Sequence, residues 1–516
     1  MSTTGETVSI VAITGQLLSA STVDSQCQAC AHRVDYCRTI GCPTMRNLVL
    51  LCLDSVRKDY FDEFAPRIQA RAEVKFEQCR AASGWSIPSH ASLFTGDLPH
   101  VHGVHSHSRY FEPLLQRGTF IDGLAEHRTI GISTNPYLAT DYGFDALFDE
   151  FVEILPGTRF RFDDALSPAD LNLSDIGPFD YLKLAVQDSR PLQSLANGVL
   201  FKFDPYEFLF SGRPWPELVD KGTKNALDTG RSLIEGGEDP DTPVFAFINL
   251  MDAHLPMYHH IGLDRTLHDV PYAWTSSDGP TSRDVSHDPD THRTFLQRYT
   301  ALYRASIDYL DRLVDAWIEE LCRTTEHPTT VVITADHGEN LGTANDDYLF
   351  DHHASLTEAI LHVPLVVVNP PRSFDPGTTQ PISHLEVGEL IQSCVSDRPF
   401  EFEDEPIVAE VIGHTGEHPG GAFWDRSIRA VYEGSRKVVW DSLGHASEFT
   451  LDPDEPCTQT VRRTWTGDVP EYDSALFRTG IFEAKRDALE METAPSADAD
   501  VDSHLNVSNL RRLGYL

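Results

Sequence analysis

The sequence predicts an α/β fold: a mostly parallel central sheet with helices on both faces, followed by a small C-terminal antiparallel α+β subdomain. Three observations predict it. Continuous apolar runs rich in β-branched residues recur between residues 46 and 370 and read as strands buried on both faces. Helical patterns alternate with them, as parallel crossovers require. Beyond about residue 400 the runs shorten and pair across turn residues, as antiparallel hairpins do.

Residues 1–44 are polar and dotted with Cys27, Cys30, Cys37 and Cys42, unlike the rest of the chain. Their spacing is too irregular for a good zinc site. They read as a loose extension, or as an upstream start placed before a true start at Met45. SIVAITGQLLSAS (9–21) has no basic region before it and reads as a poor signal peptide. RNLVLLCLD (46–54), RTIGIST (128–134), VFAFINLM (244–251), TTVVITAD (329–336) and HVPLVVVNP (362–370) read as buried strands. A long amphipathic helix occupies 293–322. The catalytic-type domain is expected over 45–400, with 155–240, rich in Asp, Pro and Phe, as an irregular insertion near the site mouth. The C-terminal subdomain is expected over 401–486, where PIVAEVI and IRAVYEGSRKVVWD (428–441) read as short strands, the latter a hairpin turning at Glu433-Gly434. Residues 487–516 read as an acidic mobile segment ending in a short amphipathic helix.

The chain of 516 residues carries 79 acidic and 41 basic residues, a formal net charge of −38, and only eight lysines. Such a surface suits a high-salt cytoplasm, where ions screen the self-repulsion, and it argues against nucleic acid as a partner. Nine scattered cysteines fit reduced thiols, hence a cytoplasmic location. No run is long and apolar enough to span a membrane.

Polar residues mark the ends of two strands: Asp54 on the first, and Asp336-His337-Gly338-Glu339 after 329–336. Open α/β sheets build sites at these carboxyl ends. Two carboxylates and an imidazole there form a reasonable divalent-cation set. DHH (351–353) offers further imidazoles. In GWSIPSHASLFTG (84–96), Pro88 suits a first helical turn, which places Ser86 at a helix N-terminus. On that stretch alone Ser86 reads as an ordinary cap; it could also be a nucleophile.

From Arg46 onward these motifs, taken together and in order, resemble the sulfatase branch of the alkaline-phosphatase superfamily, in a haloarchaeal-type form. The branch's signature is Cys or Ser, any residue, Pro, Ser, Arg, with Thr-Gly nine and ten positions after its start. Here it stands as Ser86-Ile87-Pro88-Ser89-His90, with Thr95-Gly96 in step and LPHVHGV (98–104) next. LLCLD (50–54) and TADHGENLG (334–342) are similar to the two metal motifs, and INLMDAHLPM (248–257) to the segment that brings a histidine to substrate. GISTNPYLATDYGFDALFDEF (131–151) and EFTLDPDEP (448–456) match in type. The resemblance implies an alkaline-phosphatase-like fold and a metal-dependent hydrolase of a sulfate ester. It puts Ser86 at the nucleophile position and makes Asp54, Asp336 and His337 metal ligands, with Ser86 completing the shell. His254 and His352 are then catalytic groups at the transferred group or leaving oxygen, and His90 and Asn135 hold substrate oxygens. His102 fits a substrate role or a structural one equally. One divalent cation (Ca, Mg, Mn or Zn) is expected, with room for a second. The substrate is a small-molecule, glycan or lipid ester; arylsulfatase-like chemistry is included.

Three departures shape this reading. His90 replaces the Arg that formylglycine-generating enzymes read, so the modified nucleophile is not expected. Asp54-Ser55 replaces an Asp-Asp pair. Asp336-His337 replaces Asp-Asn. An unmodified hydroxyl with Asp and His ligands also resembles phosphodiesterases and phosphoglycerol transferases, which is the alternative; a catalytically silent binding relative is the other. The break before Arg46 makes one outcome testable: deleting residues 1–44 is expected to leave fold and activity unchanged. Loss of folding, or zinc held by Cys27, Cys30, Cys37 and Cys42, would overturn that expectation.

Overall fold

Residues 48–53 are thoroughly buried, every side chain at or below 1% exposure. Burial of each such apolar side chain is worth roughly 1.5–3 kcal/mol. They form β1 (Asn47–Leu53), the inner strand of an eight-stranded sheet. Its other members are β2 (Val74–Arg80), β3 (Arg128–Ser133), β4 (Glu150–Glu153), β5 (Val244–Leu250), β6 (Thr329–Thr334), β9 (His362–Val368) and β10 (Ile382–Ser383), in the order β10-β2-β9-β6-β1-β5-β3-β4. A short hairpin, β7 (Asn340–Leu341) and β8 (Phe350–Asp351), lies between β6 and β9 in the chain. The computed structural model describes residues 45–154, 166, 178–202, 220–237, 239, 241–352, 355–374, 380–402, 405–413, 421–470 and 473–492. The four N-terminal cysteines, His353 and residues 493–516 lie outside these.

The pairing is parallel except at β9, which runs antiparallel to both β2 and β6. Cys52 pairs with Asn249 on one side and Thr334 on the other, so β5, β1 and β6 end level with one another. Ser133 of β3 pairs with Asn249 and ends level with them. Helices flank the sheet: α1 (Ser86–Thr95), α2 (Thr223–Glu235) and the 32-residue α3 (Arg293–Thr324). The fold class is therefore the expected one.

Within 155–240 the structure differs from the irregular insertion expected. The described part holds helices Pro178–Gln187 and Pro191–Lys202 as well as α2. In α2 the buried apolar side chains are only Ala226, Leu227 and Ile234 around Gly230, a stripe diluted by Asp, Thr and Lys. Trp317 of α3 donates its indole N–H to the Leu227 carbonyl (2.7 Å), tying α2 to α3. β2 escapes detection for a similar reason: its sequence, VKFEQCR, carries three charged residues.

The C-terminal part is an antiparallel meander of β11 (Val408–Ile412), β12 (Ser427–Glu433), β13 (Arg436–Asp441), β14 (His445–Leu451) and β15 (Gln459–Thr466). Glu433 pairs with Arg436, so the hairpin turns on Gly434-Ser435, one residue later than expected. Gly434, at φ 60°, supplies the positive φ of the first turn position. Ala82 and Leu98, flanking α1, join Val431, Val438, Trp440, Phe477 and Ile481 in one small core.

Buried ions join this sheet to the α/β part. Arg429, fully buried, donates to Glu410 (2.8 Å) and Asp473 (2.7 Å), and Glu410 also meets His100 (2.8 Å). Lys437 and Arg80 converge on Glu358 at 2.8 and 2.9 Å. Burial alone would raise Glu358; Arg80 and Lys437 bring it down to about 2. Among the described residues no helix is long and apolar enough to cross a membrane. Arg429→Met strands two buried carboxylates and is expected to lower unfolding free energy by about 3–5 kcal/mol in urea denaturation; a loss under about 1 kcal/mol would contradict this account of the joint.

Candidate active site

The level ends of β6, β1, β5 and β3 bring five polar side chains to one point. Asp54 follows β1, Asp336 and His337 follow β6, Asn249 sits in β5, and Asn135 follows β3. All five are buried. Asn135 and Asn249 each donate an amide N–H to Asp54 Oδ2, at 2.8 and 3.0 Å. The Ser55 hydroxyl donates to Asp54 Oδ1 (3.2 Å) and the Ser55 N–H to Asp336 Oδ1 (3.2 Å). Ser55 therefore fills the place of the missing second aspartate with donors. Its φ of 63° is unusual for a residue with a side chain, and Tyr303 fixes the turn by donating to the Ser55 carbonyl (2.7 Å).

Ser86 opens α1 as its first helical residue, and Trp85 occupies the cap position with no side-chain capping bond. The capping reading of Ser86 therefore does not hold. Its hydroxyl receives the other Asn135 amide proton (3.1 Å) and lies 3.4 Å from His337 Nε2. The neighbouring N–H groups of a helix start favour negative charge at this position. Ser89 Oγ donates to the Asp336 carbonyl (2.5 Å), pinning α1 to the end of β6. Two glycines allow the close approach. A Cβ on Gly338 would stand 2.0 Å from the Ala359 carbonyl oxygen, and one on Gly84 would stand 2.9 Å from that of Ser355.

Asp54, Asp336 and His337 have ligand atoms within 4.8 Å of one another. Burial works against an ionised Asp54, but His254, His337, His90 and the Asn249 amide outweigh it and take the carboxyl down to about 2. Burial and the Asp54 charge push Asp336 up to about 7. Asp336 Oδ2 is buried and accepts no hydrogen bond from the described residues. His337 donates Nδ1–H to the Gly338 carbonyl (2.8 Å), and burial lowers its pKa to about 3, so Nε2 presents a lone pair. Two carboxylates, an orphan oxygen and a neutral imidazole fit a divalent cation.

His352 and His254 stand beside this set, with ring centroids 4.3 Å from His337 to His352 and 5.0 Å from His352 to His254. Burial alone would lower His352. Asp351 (2.9 Å) and Glu339 (3.3 Å) hold Nδ1 and raise it well above the ordinary histidine value. His254 donates Nδ1–H to the Leu255 carbonyl (2.6 Å), and burial takes it down to about 3. Lys221, buried, donates to the carbonyls of Asp252 (3.4 Å) and His254 and fastens that loop.

His90 stands one turn along α1 from Ser86. Its Nδ1 donates to the Ser86 carbonyl (2.8 Å) and lies 3.6 Å from Asp336 Oδ2, while its ring packs on Phe247 and Phe144. That place braces α1 and Asp336. His102 is engaged with Ser92 Oγ (3.1 Å) and the Val104 N–H (3.0 Å), as a structural histidine. Sequence reasoning assigned no role to Asn249, Glu339, Asp351 or Lys221. Asn249 had a signal, a lone amide inside the apolar run VFAFINLM.

The donor set predicts its own pH dependence. An acid whose pKa rises from 3.8 to about 7 on folding holds its proton more firmly in the folded state. Metal-free stability therefore falls as pH rises from about 4 to 7, by at most about 1.4 kcal/mol per pH unit. A cation that displaces this proton removes the loss. The melting temperature gained on adding Mn or Zn is expected to grow from pH 5 to pH 8, and Asp54→Ala or Asp336→Ala to abolish both the gain and metal retention. Full metal occupancy in either variant would show the ligands to be elsewhere.

Comparison with known proteins agrees with this architecture. The family described as Sulfatase matches residues 46–391. The fold is similar to that of the phosphonate monoester hydrolase of Silicibacter pomeroyi, with TM-score 0.53, 16% identity, and coverage of 86% of this chain and 94% of that one. It is also similar to a protein solved with its substrate D-glucosamine-2-N,6-O-disulfate, with TM-score 0.51, 11% identity, and coverage of 88% and 100%. No curated protein matches the sequence.

Proposed function

The chain belongs to the sulfatase family, an enzyme family acting on sulfate or phosphate esters, and from that premise we propose that it hydrolyses a sulfate ester with an unmodified Ser86 as nucleophile. The observation that carries this is the placement of Ser86 Oγ: first residue of α1, hydrogen-bonded by Asn135 and facing His337 Nε2 beside two carboxylates. His90 supports the unmodified state, because it stands where a formylglycine-generating enzyme would require Arg.

Members of the family depend on metal, and Asp54, Asp336 and His337 would hold a divalent cation whose charge favours the Ser86 alkoxide and the ester's equatorial oxygens. The remaining chemistry belongs to side chains. Asn135 orients the Ser86 hydroxyl while sharing its other N–H with Asp54. The Ser86 hydroxyl loses its proton to solvent, and Oγ attacks sulfur in line, forming an O–S bond as the ester O–S bond breaks. His352, held protonated by Asp351 and Glu339, gives a proton to the departing alcohol oxygen. His254, neutral, accepts a proton from the water that then releases sulfate from Ser86. Opposite shifts in two neighbouring histidines divide acid from base.

A second reading takes a phosphate ester, by the same steps at phosphorus. It is favoured by one feature: the third ligand is His337, with a plain hydroxyl as nucleophile, which is the set resembling phosphodiesterases and phosphoglycerol transferases. The related folds include a phosphonate monoester hydrolase and a protein whose substrate is a disulfated glucosamine, so both chemistries, and a glycan ester, remain in view. The physical test is Ser86 itself. Ser86→Ala is expected to lower turnover of nitrophenyl sulfate, or of the nitrophenyl phosphate ester if that is the better substrate, by several orders of magnitude with the fold intact. Ser86→Thr should keep measurable activity, since a secondary hydroxyl still attacks. An intact-mass loss of two hydrogens at Ser86, or an Ala variant nearly as active as the parent, would overturn the reading.

A further inference from the structure

Three residues beyond His254, at Met257, the chain enters an excursion whose ends are tied together. Tyr258 bridges Thr275, and the Ser276 N–H donates to the Met257 carbonyl (2.8 Å). From α3, Arg304 donates to the Leu267 carbonyl (2.7 Å) and Arg312 to the Gly262 carbonyl (2.8 Å), and Tyr309 packs on His260 at 4.7 Å. The excursion is thus held as a rigid platform. On it, His259 and His268 are 3% and 4% exposed, with ring centroids 5.0 Å apart. Among the described residues, no other residue gives either ring nitrogen of His259 a hydrogen bond, and none gives His268 Nε2 one.

The missing partner can be read from the donors. Arg265 Nη1 donates to the Val270 carbonyl (2.6 Å) and lies 3.4 Å from His268 Nδ1. A guanidinium only donates, so Nδ1 is the acceptor and the proton of neutral His268 sits on Nε2. His259 adds a second N–H. The Arg265 guanidinium supplies positive charge 4.7 Å from the centroid of the Tyr272 ring, whose edge-on neighbour is His259 (4.7 Å). Tyr272 is 46% exposed and offers a flat face beside the donors. The two buried N–H groups lack an oxygen acceptor, the Arg265 guanidinium keeps donors beyond the one given to Val270, and an oxyanion supplies several acceptors. Two carboxylates, those of Asp264 and Asp269, act on His268, and both are exposed to solvent.

We propose that His259, His268 and Arg265 form a second oxyanion site that takes a sulfate or phosphate group carried by the substrate beside the ester that reacts. Five residues of extended chain span at most about 18 Å, so the site lies within reach of one oligosaccharide-sized molecule bound at His254. This rests on the ester-hydrolase reading above and names the substrate class within it: a polyanionic ester, with Tyr272 as a stacking surface for the ring that bears the second charge.

Two measurements on the metal-loaded full chain test it. In calorimetric titration with inorganic sulfate and inorganic phosphate, the parent is expected to bind two anions per chain, and Arg265→Gln and His268→Phe one. A single anion on the parent, or two on both variants, overturns the site whether or not any ester is turned over, so its failure is distinct from failure of the hydrolase reading. In steady-state assays, a disulfated sugar ester is expected to show a KM at least about tenfold below its monosulfated counterpart, with the difference erased in both variants and kcat for a nitrophenyl ester kept within about twofold. Equal KM values in the parent would show that the site takes free oxyanion only and would overturn the substrate assignment. Arg265→Lys, which keeps the charge, should restore part of the difference; loss of fold in the Phe variant would leave Arg265→Gln and Arg265→Lys to decide.

Discussion

Two carboxylates held together away from water are the constraint on which the rest of this structure depends. Asp54 and Asp336 end adjacent parallel strands that finish level, so strand pairing alone forces their oxygens close. Like charges in a dry interior repel strongly, and one must keep a proton or a cation must join them. Everything nearby answers that demand. Asn135, Asn249 and Ser55 surround the pair with donors, and Asp336 keeps one oxygen without a hydrogen bond from the described residues. Ser86 is then placed where the same positive charge would act on its hydroxyl. A parallel sheet makes this possible because all its carboxyl ends share one edge.

The histidines show how neighbours, rather than residue type, set a role. His337, His254 and His352 stand close to one another in the same buried pocket, yet only His352 is flanked by carboxylates on its Nδ1. It alone of the three is held protonated, while burial keeps the other two neutral. The C-terminal sheet reaches this arrangement through Ser83, three residues before Ser86, whose hydroxyl donates to the Glu410 carbonyl (2.7 Å). Its buried ion pairs therefore bear on the start of α1 as well as on the joint between sheets.

Much of this was legible in the sequence because the central strands are apolar throughout. Runs such as 46–54 and 329–336 have no surface face to confuse the pattern, and their terminal aspartates stand out against it. The elements that escaped are those with diluted patterns: β2 with its charges, α2 with its narrow stripe, and the helices at 178–187 and 191–202 among Asp, Pro and Phe. Asn249 was hidden by lying inside a strand rather than at its end. The ring pair His259 and His268 carries no motif at all, since only the closed path of the excursion brings it together.

The central claim is that Ser86, as a plain serine beside the Asp54, Asp336 and His337 set, becomes covalently attached to the transferred group. Rapid acid quenching of metal-loaded enzyme during turnover of a nitrophenyl ester, followed by peptide mapping, tests it most directly. The account predicts a peptide containing Ser86 heavier by the mass of a sulfuryl or phosphoryl group, with the label absent when metal is removed. An unlabelled Ser86 peptide during steady turnover, or label on another residue, would contradict it.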